Sequence, residues 1–167
     1  MRSRPARYWA HLWNGGWQLR RAFPGPVLDA IEARISAGEQ RHGAELRFVV
    51  EARLPVRAIG SRLSPRVRAS AVFAELGVWD TAGNNGVLVY VLLADRAVEI
   101  VADRGARALV SPSVWDQACA TMTQAFATGA FEEGTLRAID LLNEALAAVF
   151  PPLSENPDEL PNRPLVR

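Results

Sequence analysis

The chain has 167 residues, of which 49% are apolar and 22% are charged, the balance of one globular domain with a sizeable core. Its formal net charge of +1 provides no overall positive field, which disfavours an electrostatically driven nucleic-acid binder. A single cysteine, Cys119, excludes an intrachain disulfide, and no apolar run approaches the roughly 20 residues of a bilayer span. We therefore expect a cytoplasmic protein without a signal peptide or transmembrane segment, and we leave peripheral membrane contact open.

Tryptophan and arginine dominate residues 1–22, which we interpret as an N-terminal helix. One helical face would carry Trp9, Trp13 and Trp17, and two glycines at positions 15 and 16 would break or fray the helix. Three interpretations are open: a helix packed on the domain's own core, an interface with a partner protein, or contact with a membrane surface. The three tryptophans are the candidate partner-binding residues.

Two helices and one strand are predicted before residue 77. Two prolines open a helix that should stop near Gly43. Residues 45–53 then alternate between apolar and charged side chains, which is typical of a strand. Ser64, followed by a proline, caps the next helix, which should run to about Leu76.

The central part of the chain predicts two more strands and two more helices. Residues 87–93 are apolar at every position, as in a central strand that is covered on both faces. Residues 98–102 return as the neighbouring strand. Apolar side chains recur at helical spacing over 111–129 and again over about 132–149. The proline-rich tail, residues 151–167, should be extended.

This order of elements predicts an α/β fold: a single-domain sandwich whose central mixed sheet is covered by helices on both faces. A strand–helix–strand unit implies a right-handed parallel crossover, and the short connection to the third strand implies antiparallel pairing. We divide the chain into an N-terminal helix (1–22), an α/β domain (23–150) and an extended tail (151–167).

Chain direction places many polar residues at one edge of this sheet. Parallel strands begin at the same edge, and an antiparallel third strand ends there. The residues that we expect at this edge are Glu39, His42, Glu45, Asp80, Asn84, Asn85 and Asp103.

Several carboxylates at one edge are unfavourable unless a cation or arginine neutralises them. One interpretation is a network of helix caps and salt bridges, in which Asn84 and Asn85 form a turn and Asp103 ends a strand. The other is a divalent cation, for which oxygen ligands favour Ca²⁺ or Mg²⁺. Glu39 and His42 are three residues apart, so both would lie on one helical face. The candidate metal ligands are Glu39, His42, Glu45, Asp80, Asn84 and Asp103.

Three segments together resemble the TPM domain family, most closely a compact bacterial branch of it. They are Leu-Gly-Val-Trp-Asp-Thr at 76–81, Asn-Asn-Gly at 84–86 and Val-Glu-Ile-Val-Ala-Asp-Arg-Gly at 98–105. The resemblance covers roughly residues 24–167 and implies an α/β sandwich with a mixed sheet between helices. It also implies several activities, because some members bind a divalent cation such as Ca²⁺, others are accessory parts of membrane complexes, and a weak acid phosphatase activity is attributed to a plant member.

The function that we favour from the sequence is a non-enzymatic accessory or interaction domain, with a divalent cation at one sheet edge and an unidentified protein partner in a membrane-associated assembly. The alternative is a weak metal-assisted acid phosphatase. In that case His42 or Asp80 would be the general acid or base, and Arg104 would hold the phosphate. Nucleic acid is not an expected partner.

Overall fold

The computed structural model describes residues 16–54, 63–152 and 158–167, so Trp9 and Trp13 lie outside the described residues. The described chain forms helices α1 (Gly16–Ala22), α2 (Gly25–Glu39), α3 (Pro65–Glu75), α4 (Arg104–Leu109), α5 (Pro112–Ala127) and α6 (Phe131–Ala147). Its strands are β1 (Leu46–Glu51), β2 (Val87–Leu92), β3 (Ala97–Ala102) and β4 (Leu165–Val166). Among the described helices, none combines the length and apolar character that a bilayer span requires.

The four strands form one mixed sheet in the order β3-β2-β1-β4. β1 and β2 are parallel, and β2 and β3 are antiparallel, which confirms the predicted pairing. The tail adds a strand that the sequence did not predict, because β4 lies parallel to β1 with Leu165 opposite Val49. The α/β fold with a central mixed sheet is therefore confirmed, with one more edge strand than expected.

Local sequence signals explain where several helices begin and end. The Ser64 hydroxyl accepts a hydrogen bond from the amide of Val67 at 3.2 Å and so caps α3. Gly77 follows α3 with φ of +66°, and Gly129 follows α5 with φ of +85°. Only glycine adopts this left-handed backbone without a steric penalty, so both helices end where the sequence places them.

Helices cover both faces of the sheet, but unequally. On one face Leu46, Phe48 and Val50 of β1 pack in a core that includes side chains of α1, α2, α5 and α6. On the other face Val49 and its sheet neighbours pack against α3 and against Leu160 of the tail. Each large aliphatic side chain buried in these layers contributes about 1.5–3 kcal/mol of hydrophobic free energy.

Two predicted details at the sheet edge are wrong. Helix α2 ends at Glu39 and not near Gly43, so Glu39 and His42 do not share a helical face. The chain leaves the helix there, and the Glu39 carboxylate binds the amide of Leu46 at 3.0 Å. A helix, α4, stands where a turn was predicted after β3. Asp103 directly follows β3, and its carboxylate accepts a hydrogen bond from the amide of Arg104 at 2.7 Å and caps α4.

Candidate functional site: a carboxylate cluster at the amino rim

The edge where β1 and β2 begin and β3 ends is here named the amino rim, and Glu39, Glu45, Asn85 and Asp103 lie along it. Glu39 is the last residue of α2, and Glu45 directly precedes β1. Asn85 lies just before β2, and Asp103 lies just after β3. The direction of the three strands therefore gathers these residues at one edge, as the sequence predicted.

Three carboxylates converge at the β1 end of this rim. One oxygen each from Glu39, Glu45 and Asp158 lie within 4.8 Å of one another. Glu39 and Glu45 are 7% and 2% exposed, whereas Asp158 is exposed. We call these residues the carboxylate cluster. Sequence reasoning found two of its members but missed Asp158, which comes from the tail.

Backbone amides hold the two buried carboxylates in place. Leu46, the first residue of β1, donates its amide hydrogen to Glu39 Oε1 at 3.0 Å. Leu160 of the tail donates its amide hydrogen to Glu45 Oε2 at 3.0 Å. The cluster is therefore built jointly by the start of the sheet and by the tail that crosses it.

The electrostatics of the cluster favour a neutralised state. Burial raises the pKa of Glu39 to about 8, and the charges of Glu45 and Asp158 act in the same direction. Burial also raises the pKa of Glu45, with further contributions from Asp158 and Glu159. Since Coulomb repulsion between buried carboxylates is weakly screened, Glu39 favours its protonated, neutral form near neutral pH.

His42 is completely buried, and both of its ring nitrogens contact protein groups. Asn143 donates its side-chain amide to the carbonyl of Arg34 at 3.2 Å, so its Oδ1 is an acceptor and takes a hydrogen bond from His42 Nε2 at 3.2 Å. Nδ1 then accepts from the amide of Ala44 at 3.3 Å. Burial lowers the pKa of His42, in keeping with a neutral ring that joins the α2–β1 loop to α6.

Asn85 and Asp103 lie at the other end of the amino rim. The Asn85 side chain donates to the carbonyl of Gly43. Asn85 Oδ1 and Asp103 Oδ2 are both buried, and neither has a hydrogen-bond partner in the described part of the chain. A cation or a water molecule at this position would satisfy the two buried oxygen acceptors.

The remaining predicted site residues within the described part of the chain are exposed. Asp80 and Asn84 lie in the loop before β2, and Asn84 has φ of +50°, as expected for an asparagine in a turn. Arg104 is exposed at the start of α4. Trp17 is 68% exposed, and the Arg21 guanidinium lies 5.5 Å from the centre of its ring. Of the six candidate metal ligands, the structure brings Glu39 and Glu45 into the carboxylate cluster and buries His42 and Asp103 outside it. Asp80 and Asn84 lie on the surface.

The family model of the TPM domain matches residues 25–145, most of the described chain. The chain belongs to the TPM domain family. This match includes the predicted motif segments, both buried glutamates of the cluster and strands β1, β2 and β3.

Two solved structures show the same TPM-type fold. The BA42 protein from the psychrophilic bacterium Bizionia argentinensis, solved by NMR, is 29% identical, with a TM-score of 0.76 over 87% of this chain and 95% of that chain. The N-terminal domain of a P. gingivalis protein, also solved by NMR, is 19% identical, with a TM-score of 0.61 over 75% of this chain and 77% of that chain. No curated protein matches this TPM domain.

Proposed function

We propose that this TPM domain is a non-enzymatic accessory domain that binds a divalent cation at the carboxylate cluster. The supporting observation is the convergence of Glu39, Glu45 and Asp158 within 4.8 Å, with two of the three carboxylates buried. Carboxylate oxygens are hard ligands, which favours Ca²⁺ or Mg²⁺ over softer metals.

A cation would replace the proton that the cluster favours. Because burial raises the pKa of Glu39 to about 8, protons compete with the cation over the neutral range. The apparent affinity should therefore rise as the pH rises toward 8. This pH dependence distinguishes the buried cluster from exposed carboxylates, whose pKa values lie well below neutrality.

A binding role agrees with the environment of the candidate catalytic groups better than a phosphatase role does. His42 would be the general acid or base, but its ring is buried and hydrogen-bonded to Asn143 and Ala44. Arg104 is exposed at the start of a short helix. The exposed Trp17 supports a protein partner near the N-terminal segment, and the membrane-associated setting rests on the family resemblance.

The test is thermal unfolding of the purified chain in chelator, Ca²⁺, Mg²⁺ and Zn²⁺, because a ligand that binds only the folded state raises the midpoint. We expect a saturable rise with Ca²⁺ or Mg²⁺ that is greater at pH 8 than at pH 6. Glu45→Gln should remove most of this rise. Glu133→Gln is the control, since Glu133 is exposed and pairs with Arg137 on α6.

Two outcomes would contradict the proposal. The first is a wild-type midpoint that is the same in chelator and in every cation. The second is a rise that survives in Glu45→Gln and is lost in Asp103→Asn, which would move the cation to the Asn85–Asp103 end of the rim.

A further inference from the structure

The opposite edge of the sheet, where β1 and β4 end, contains a cleft with a cavity volume of about 490 Å³. We call this edge the carboxyl rim. Its polar lining comes from Glu51, Arg53, Arg68 and Arg167, and its apolar lining includes Leu19 and Leu54. In open α/β sheets ligands commonly bind outside the carboxyl ends of parallel strands, and β1 and β4 are parallel.

A buried glutamate forms the fixed floor of this cleft. The Glu51 side chain is 4% exposed, and its Oε2 accepts a hydrogen bond from the Tyr90 hydroxyl at 2.5 Å. Arg68 donates from Nε to Glu51 Oε2 at 2.9 Å and from Nη2 to Oε1. This two-point contact fixes the plane of the Arg68 guanidinium, so its remaining N–H groups have a defined direction.

Two of the arginines that line the cleft, Arg68 and Arg167, already contact a carboxylate from outside the lining. Glu75, the last residue of α3, lies 3.0 Å from Arg167 Nη1 and 3.7 Å from Arg68 Nη1. Its side chain is half exposed, and the hydrogen bond from Arg167 lowers its pKa. An exposed carboxylate held in this way shows that the surroundings favour a negative charge.

Among the described side chains, arginines outnumber carboxylates at the cleft. Arg53, Arg68 and Arg167 line it together with Glu51, and Glu75 contacts two of these three arginines. Arg53 is exposed, and no ion pair joins it to a carboxylate among the described residues. Arg167 contacts Glu75 through Nη1, which leaves its other guanidinium edge for a second anion.

We propose that the carboxyl rim binds a small oxyanion, a phosphate or carboxylate group, which takes the place of Glu75 between Arg167 and Arg68. The Glu75 side chain can rotate into solvent because it is half exposed. The fixed Arg68 and the apolar walls would then receive the anion and the adjoining part of its molecule. This site is independent of the cation at the amino rim.

The experiment is a titration of the full chain with inorganic phosphate and, separately, with citrate, at constant ionic strength balanced by chloride. Affinity is measured by calorimetry, and the Arg Nε–Hε signals are followed by NMR. We expect saturable binding of at least one oxyanion, with shifts at the arginines of the cleft. A phosphate response alone would identify a phosphoryl ligand, and a citrate response alone a carboxylate ligand.

Two variants with opposite expected effects make the test specific. Arg167→Gln should weaken binding about tenfold, because it removes a charge-assisted contact. Glu75→Gln should strengthen binding several-fold, because it removes the internal competitor and leaves the arginines in place. Arg163→Gln is the control. Arg163 also pairs with two surface carboxylates, Asp29 and Glu32 of α2, but it does not line the cleft.

Three results would overturn the proposal. One is the absence of saturable binding in both wild type and Glu75→Gln. Another is an equal loss of affinity in Arg163→Gln and Arg167→Gln, which would indicate nonspecific attraction to arginine. The third is weaker binding in Glu75→Gln, provided that its unfolding midpoint shows it to be folded.

Discussion

One buried glutamate directly precedes strand β1 and another is its last residue, and the two carboxylates have surroundings of opposite charge. Glu51, at the carboxyl rim, contacts a tyrosine hydroxyl and the guanidinium of Arg68. Glu45, at the amino rim, is held by a backbone amide and lies beside two further carboxylates. The two positions are only six residues apart in sequence and belong to the same strand region.

The difference separates a structural carboxylate from a candidate binding carboxylate. At the carboxyl rim a positive charge within the protein offsets the burial of Glu51, so the contact is complete without a ligand. At the amino rim the raised pKa values of Glu39 and Glu45 show that negative charge is poorly compensated. Burial of a carboxylate alone therefore does not indicate a binding site. The charge of the groups around that carboxylate is the better indicator.

The largest expected effect comes from removing the carboxylate of Glu51. Glu51→Ala leaves the Tyr90 hydroxyl and the partly buried Arg68 without their acceptor, so we expect a loss of about 3 kcal/mol in the free energy of unfolding. Chemical denaturation at pH 7 measures this. Glu75→Ala, which breaks only half-exposed ion pairs, should cost less than about 1 kcal/mol. Equal losses in the two variants would remove the distinction between these glutamates.

An effect of similar size is expected from the pH dependence of Glu39. Its pKa is raised from 4.5 to about 8 on folding, so the folded state retains a proton that the unfolded state releases. The stabilising effect is complete below pH 4.5 and is lost as the pH rises toward 8, with roughly 3 kcal/mol lost between pH 4.5 and 7.

Glu39→Gln should therefore flatten the decline of stability with pH, measured by denaturation in chelator. Some slope should remain, because the pKa of Glu45 is also raised. The control Glu133→Gln should keep the wild-type slope. A Glu39→Gln variant whose stability falls between pH 5 and 8 as steeply as that of the wild-type protein would contradict this electrostatic description of the cluster.

The smallest effect is expected at the exposed member of the cluster. Asp158→Asn removes a charge that raises the pKa of both buried glutamates, so at pH 7 in chelator we expect a stabilisation of about 0.5 kcal/mol. In Ca²⁺ we expect the variant to be less stable than wild type, because it loses an oxygen ligand of the proposed cation. A destabilisation of the same size in both conditions would mean that Asp158 acts only through local structure.

The sequence predicts the central sheet well because each signal there is local. The alternation at 45–53, the apolar run at 87–93 and the serine–proline cap before α3 all depend on neighbouring residues, and all are confirmed. Strand direction then brings Glu39, Glu45 and Asp103 to one edge without further information.

Features that depend on distant contacts could not be predicted in this way. Asp158 joins the cluster through the tail, which contacts Glu45 by the Leu160 amide and pairs with β1 through β4. A two-residue strand leaves no periodic pattern in the sequence. The six-residue α4 is also too short to show a clear helical pattern, so the sequence predicted only a turn at Asp103. The role of His42 depends on Asn143, which is 101 residues away in sequence.

The contact between Glu45 and Leu160 also has a consequence for synthesis of the chain. The two residues are 115 positions apart, which at typical elongation rates corresponds to roughly ten seconds on the ribosome. During that time Glu39 and Glu45 remain without the tail that buries them, and their carboxylates ionise as they do in water. Docking of the tail is thus the step at which the raised pKa of Glu39 develops, so near neutral pH the nascent chain takes up a proton there.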